Sequence, residues 1–178
     1  MKKAIKNIGI ILGVIALDFI TKSYLLFLIT GRVPLVGNAW GLVPFPYLMT
    51  HVTNWFNIVF TWNPGTAFSM LRGLGNNASW VICIITGIII LVIMHYLFKR
   101  ASDYERLPLA LIVGGALGNL IDRIRFGAVI DFIDWHIGGV HWPAFNVADV
   151  CICVGVGLYI INWLLARHKC LNKCKGGK

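Results

Sequence analysis

Apolar positions gather into four long runs along the chain, at about 8–29, 78–98, 107–121 and 147–165. Each reads as a membrane-spanning helix. The first supplies about 33 Å of helix for a hydrocarbon core about 30 Å thick. The third is short, and must borrow flanking residues or thin the bilayer locally. The first run resembles a secretory signal in position. However, it holds Asp18 and Lys22 and no small-residue cleavage site follows it, so it is expected to be a retained helix.

A different pattern occupies the connection after the first run. In "HVTNWFNIVFTWN", residues 51–63, apolar and polar positions mostly alternate with period two. That predicts a strand with one greasy face. Open sheet edges are not tolerated in hydrocarbon, so a sheet over about 33–72 is expected to lie on the outer leaflet with its apolar face down. Trp40, Tyr47, Trp55, Trp62 and Trp80 suit that interfacial depth. The expected fold class is therefore membrane all-α with a small β element, organised as a single domain over residues 1–178. No internal repeat and no low-complexity segment interrupts it.

Composition agrees with the pattern: 58% of residues are hydrophobic, 13% are charged, and the mean hydropathy is +0.77. A net charge of +9 would suit nucleic acid, but the basic residues sit at the ends of apolar runs instead of tracking a groove. Nucleic-acid binding is not expected. Lys2, Lys3 and Lys6, then Lys99, Arg100 and Arg106, then Arg167, Lys169, Lys173, Lys175 and Lys178 fall on one side, eleven of the sixteen basic residues. The other side has Arg32, Arg72, Arg123 and Arg125. The positive-inside rule puts both termini in the cytoplasm, and the stretch 126–150 faces outward. Cys83, Cys151 and Cys153 lie in apolar runs and read as small hydrophobes. Cys170 and Cys174 lie in a basic tail with only His168 near them, short of the four ligands that a closed zinc site takes, so no metal is expected there.

Polar residues in such surroundings ask for a reason. Asp18, Thr21 and Lys22 share one face of the first span. Intramembrane charges of this kind usually mark function, and the plainer reading is a self-neutralising pair. At the end of the third span, Gly114, Gly115 and Gly118 permit close packing, and Asn119, Asp122 and Arg123 follow. An Asp-Arg pair ending a helix accounts for Asp122 as well as any chemistry does. Asn146 and Asp149 read as the N-cap and the acidic third residue of the fourth span. Asp131 in "VIDFI" has no such account. If Asp131 meets Asp149, the two carboxylates share a proton; one then takes a proton from water while the other donates to a carbonyl. Asp134 reads as an interfacial carboxylate. His136 and His141, five apart, have the wrong spacing for one helix face and also read as interfacial.

Five blocks in this order, "LDFITK", "WNPGTAF", "GGALGNLIDRI", "GAVIDFIDW" and "PAFNVADV", resemble the bacterial lipoprotein signal peptidase (signal peptidase II) family over about residues 8–165. The resemblance implies an integral-membrane aspartic endopeptidase without a cofactor. It would release signal peptides from diacylglyceryl-modified prolipoproteins by cleaving on the N-terminal side of the lipidated cysteine. It implies Asp131 and Asp149 as the catalytic pair. Asp18, Lys22, Asn63, Gly65, Asn119, Arg123 and Asn146 would bind substrate or support the pair. The expected partners are the prolipoprotein and membrane lipids, with the protein acting as a monomer in the bacterial inner membrane. Trp142 stands where a phenylalanine is more usual, and the tail past Ala166 carries no family block.

Two other classes compete. A small proton-coupled transporter would explain Asp18 and Lys22, but such proteins usually show repeats, interrupted helices and midplane sites. A non-enzymatic assembly protein gives no reason for Asp131. The distribution of basic residues makes a direct topology test: reporters fused after residue 40 and within 126–145 should report the outer side. Those near residue 103 and at the C-terminus should report the cytoplasm. A cytoplasmic signal from 126–145 would place the carboxylates on the wrong face for an exported substrate.

Overall fold

The structure is a computed structural model that describes residues 2–37, 39, 47–65 and 78–175, without side-chain detail at 47–49, 78 and 169–175. Trp40, Ser69, Arg72, Lys178 and positions 66–68 of the "WNPGTAF" block lie outside the described residues. So do the side chains of Tyr47, Lys169, Cys170, Lys173, Cys174 and Lys175. In chain order come α1 (Lys2–Thr30), β1 (Tyr47–Thr53), β2 (Phe56–Asn63), α2 (Ala78–Lys99), α3 (Asp103–Phe126), β3 (Val129–Ile137), β4 (Val140–His141) and α4 (Val147–Lys175). All four helices are long and apolar enough to cross a membrane. They carry one small antiparallel sheet, which is the class expected from the apolar runs.

Helix α3 outgrows its apolar run at both ends. Its start is set by Ser102, whose backbone N–H donates to the Glu105 carboxylate at 2.8 Å, and Asp103 and Glu105 place negative charge on the first turn. Its stop is Gly127, at φ 78°, whose N–H donates to the Arg123 carbonyl at 2.9 Å. The result is 24 residues, about 36 Å, so polar ends complete the span. Pro108 inside the helix has no N–H for the Tyr104 carbonyl. Asn162 of α4 donates to that oxygen at 2.7 Å, so a neighbouring helix supplies the missing partner.

α3 is the helix the others share, packing against α1, α2 and α4. Two glycines set how close they come. A Cβ on Gly115 would collide with the Ala148 carbonyl oxygen of α4, and one on Gly118 would lie 2.7 Å from the Asp18 carboxylate of α1. Small residues let backbones meet where lipid offers no hydrophobic drive for association. Along α1, Ile11 joins an apolar cluster with Ile90, Leu97, Leu109 and Val113, while Leu25 and Leu26 join another with Phe60, Phe126, Ile130 and Phe132. Between these two stretches of α1 stand Asp18 and Lys22, each 1% exposed.

The sheet differs from the expected strand in two ways. Residues 51–63 form a hairpin and not one strand, because β1 and β2 pair antiparallel with Thr53 opposite Phe56. The Thr53 hydroxyl accepts from the Trp55 N–H at 3.2 Å, a local bond that turns the chain while the apolar-polar alternation runs on through it. The sheet also draws on the connection before α4. β3 pairs with β2 and β4, giving the order β1-β2-β3-β4, so the "VIDFI" segment is an interior strand. Its first five residues are mostly buried, and Asp131 is 1% exposed.

The contact at Gly115 gives a packing test. The atom in the way belongs to the α4 backbone, which has no rotamer to turn aside. Gly115→Ala should therefore cost about 1–3 kcal/mol and lower the thermal midpoint in detergent. An unchanged midpoint would show that α3 and α4 do not pack this closely.

Candidate active site

Charge buried between helices has to be matched nearby. Lys22 Nζ lies 2.7 Å from Asp18 Oδ2 and 3.0 Å from Asp122 Oδ2, and it donates to Asn119 Oδ1 at 3.1 Å. One cation thus serves two carboxylates. Arg125, 3.9 Å from Asp122 Oδ1, offsets part of the surplus negative charge. The other oxygen of Asp18 accepts from the Ala148 N–H at 2.9 Å, in the first turn of α4, where the helix dipole favours an anion. Asp122 accepts from the Ile130 N–H of β3 at 3.3 Å. Asp18 and Lys22 do pair, but Asp122 draws on the same cation, so they are not the self-neutralising pair that one reading of the sequence offers. Asp122 is more than a helix-ending acid, because it ties α1 and α3 to the sheet.

Asn119 passes this network on to Asn146 and Asp149. Its Oδ1 accepts from Asn146 Nδ2 at 3.1 Å and its Nδ2 donates to Asp149 Oδ1 at 2.7 Å. Asn146 also caps α4 as its residue type predicts: its Oδ1 accepts from the Asp149 N–H at 3.0 Å, and Asp149 Oδ2 accepts from the Asn146 N–H at 3.1 Å. With the cap closed on Oδ1, the Asn146 amide nitrogen is left to reach across to β3. It donates to Asp131 Oδ1 at 2.7 Å and lies 3.2 Å from the Ile130 carbonyl. Asn63 on β2 donates to the other oxygen, Asp131 Oδ2, at 2.9 Å, and accepts the Gly65 N–H at 2.8 Å. Asn146, fully buried, therefore holds one carboxylate through its side chain and the other through its backbone. Capping and site-building are two uses of one residue.

Electrostatics set Asp131 apart. Burial pushes its carboxyl up, the neighbouring negative charge of Asp149 pushes further, and the amide donors Asn63 and Asn146 only partly oppose them, leaving it at about 7. A carboxyl at that value can hold a proton near neutrality. Asp149 lines a cavity of about 860 Å³ together with Asn63, Trp142, Phe145, Val150 and Val154, a mostly apolar wall with a few polar groups.

Of the nine residues singled out in the sequence, Asp18, Lys22, Asn63, Gly65, Asn119, Asn146, Asp131 and Asp149 are joined through one another by hydrogen bonds or ion pairs. Arg123 stands outside that set: its Nε is buried with no hydrogen-bond partner among the described residues. Sequence reasoning passed over a second group. Asp134 is 7% exposed, accepting from Asn57 Nδ2 at 2.8 Å and lying 2.8 Å from His141 Nδ1. The signal that could have found it is strand alternation in "VIDFIDWHI", which puts Asp134 and His136 on one face.

A family model described as signal peptidase (SPase) II matches residues 10–165. A lipoprotein signal peptidase of Anaplasma phagocytophilum (strain HZ) is 38% identical over 95% of this chain and 98% of that protein. One from Syntrophus aciditrophicus (strain SB) is 41% identical over 83% of this chain and 97% of its own. Among solved structures, a bacterial membrane enzyme matches with a TM-score of 0.68 at 31% identity, covering 89% of this chain and 92% of that one.

The buried charge network makes a graded prediction. Lys22→Met would leave Asp18 and Asp122 together without their cation, and should cost about 3–5 kcal/mol in stability. Asp18→Ala should cost less, because Lys22 keeps Asp122. Thermal unfolding in detergent reads both, and a parental midpoint for Lys22→Met would show that the network does not hold the helices together.

Proposed function

The chain belongs to the signal peptidase II family, and we propose that it is an aspartic endopeptidase that removes signal peptides from diacylglyceryl-modified prolipoproteins. It cuts on the N-terminal side of the lipidated cysteine. Asp131 and Asp149 are the catalytic pair. The observation that carries this reading is Asn146, which bonds both carboxylates at the buried junction of β3 and α4.

Asp131, with its carboxyl at about 7, starts as the acid and Asp149 as the base. Asp149 takes a proton from water as its oxygen attacks the scissile carbonyl, and Asp131 gives its proton to the carbonyl oxygen. As the tetrahedral intermediate collapses, Asp149 passes its proton to the leaving amine and Asp131 takes back a hydroxyl proton from the re-forming carbonyl, so the pair ends with one proton, as it began. Asn63, Asn119 and Asn146 hold the carboxylates in place, each by an amide N–H that costs no charge. Asp18 and Lys22 are support, since their contacts run to α3 and to the first turn of α4. Gly65 holds Asn63 by its N–H. Arg123, whose Nε has no hydrogen-bond partner among the described residues, meets the substrate.

The whole chain works as one monomeric unit in the bacterial inner membrane, with both termini in the cytoplasm and the pair near the outer surface. A substrate whose signal helix and acyl chains lie in the bilayer presents its scissile bond at that depth. The mostly apolar cavity beside Asp149 suits the lipid-bearing segment.

Incubation of the purified protein with lipid-modified prolipoprotein should release the signal peptide, and the unmodified precursor should stay intact. Asp131→Asn and Asp149→Asn should each abolish cleavage, with the double variant hardly worse than either, because the two act as a unit. Near-parental turnover in either would remove that residue from the pair. Activity should fall as pH rises through about 7, where Asp131 loses its proton. Stability follows the same sign. The folded state holds a proton that the unfolded chain releases near pH ~4, so the stability this contributes is present below that pH and lost as pH rises through about 7. Asp131→Asn should therefore melt no lower than the parent at alkaline pH.

A further inference from the structure

A second polar cluster crosses the sheet, built by strand pairing. His51 on β1 is opposite Asn57 on β2, Asn57 is opposite Asp134 on β3, and His136 on β3 is opposite His141 on β4. The β3–β4 hairpin closes at Gly138 and Gly139, at φ 57° and 83°, and two consecutive left-handed residues make the tight turn that sets His141 against His136. Histidines five apart in sequence therefore become direct neighbours, with rings stacked 4.9 Å apart at 18°. Asp131 and Asp134 lie three apart on β3, so alternation turns these two carboxylates to opposite faces of the strand.

The donor set is that of a metal site. Asp134, His136 and His141 each offer one ligating atom, and the three atoms lie within 4.8 Å of one another. From one oxygen, Asp134 Oδ2, His141 Nδ1 is 3.0 Å away and His136 Nδ1 is 3.8 Å away. A tetrahedral ion with bonds of about 2.0–2.2 Å spaces its ligands by about 3.4 Å, between those two separations. The carboxylate is already aimed: Asn57 Nδ2 donates to Asp134 Oδ2 at 2.8 Å, and Asn57 Oδ1 is held 2.6 Å from His51 Nδ1. An outer shell of this kind fixes ligand orientation at metal centres. Entry is open, because the His141 side chain is 53% exposed and His136 and His141 line the cavity that Asp149 also lines. Two imidazoles and one carboxylate favour a borderline ion of the zinc type over calcium or magnesium, which take oxygen ligands.

We propose that Asp134, His136 and His141 bind a divalent transition-metal ion of the zinc type, with water in the fourth position, and that the ion clamps the β3–β4 hairpin at the rim of the cavity. The site rests on the sheet's pairing and not on the peptidase reading, so either can fail without the other.

The test uses the full chain with a non-histidine tag, stripped with chelator, carrying Cys170→Ser and Cys174→Ser to remove the thiols of the tail. Titration with cobalt(II), followed by its visible d–d bands, and with zinc(II), followed by calorimetry, should give one ion per chain and a higher thermal midpoint with the ion bound. No thiolate charge-transfer band should develop. His141→Ala and Asp134→Asn should each lose at least tenfold in affinity, and Asn57→Ala on the order of 10–100-fold. The Asp131→Asn/Asp149→Asn variant should bind as the parent does. Because His141 is half exposed, its replacement leaves the fold intact, which the ion-free midpoint checks. Absence of saturable binding, a thiolate band, or unchanged affinity in both His141→Ala and Asp134→Asn would overturn the proposal.

Discussion

A helix bundle in hydrocarbon has no solvent to neutralise a charge, so each buried ion must carry its counter-ion with it. In this protein that constraint is met at Lys22, which faces Asp18 from its own helix and Asp122 from α3. The contacts radiate from there. Asp18 reaches the first turn of α4, Asp122 reaches the β3 backbone, and Asn119 hands the network to Asn146. α1, α3, α4 and the sheet are thus held by one set of polar contacts, set between apolar stretches of α1 that pack independently. Gly118 belongs to the same arrangement, since a side chain there would occupy the place of the Asp18 carboxylate.

Because Lys22 is taken up by Asp18 and Asp122, the proposed catalytic carboxylates are held by neutral amides. Asp131 receives Asn63 and Asn146, and Asp149 receives Asn119 and the Asn146 backbone. A cation in direct contact would draw the Asp131 carboxyl down, whereas amide donors leave burial and the Asp149 charge in control. Folding and chemistry also share a part: the bonds that start α4 are the bonds that orient Asp149. A helix cap and a catalytic carboxylate are therefore compatible readings of the same residue.

The strand between these helices serves two faces. β3 offers Asp131 to the junction with α4 and Asp134 to the row of His51, Asn57, His136 and His141. Both acids are nearly closed to solvent, yet their partners differ in kind, asparagines for one and an asparagine with histidines for the other. Strand periodicity is what allows carboxylates three residues apart to have separate surroundings.

The sequence by itself determined the four helices, because long apolar runs have few fates other than a span, and the existence of strand structure between the first two. It also marked Asp131 and Asp149, since a carboxylate in "VIDFI" has no helix end to explain it and the five ordered blocks resemble one family. It did not locate the turn at Asn54 and Trp55, because the alternation continues through it and only a local hydroxyl bond reverses the chain. Nor did it show that Asp122 shares Lys22 with Asp18, a contact between helices a hundred residues apart in sequence. The histidine row was equally hidden. His136 and His141 have no helical relation, and they meet only because a hairpin folds one onto the other and the pairing of β2 with β3 brings up Asn57. Local periodicity is written residue by residue along the chain, whereas the pairing of distant polar groups is set by how strands register and helices pack. Only the tertiary structure decided that.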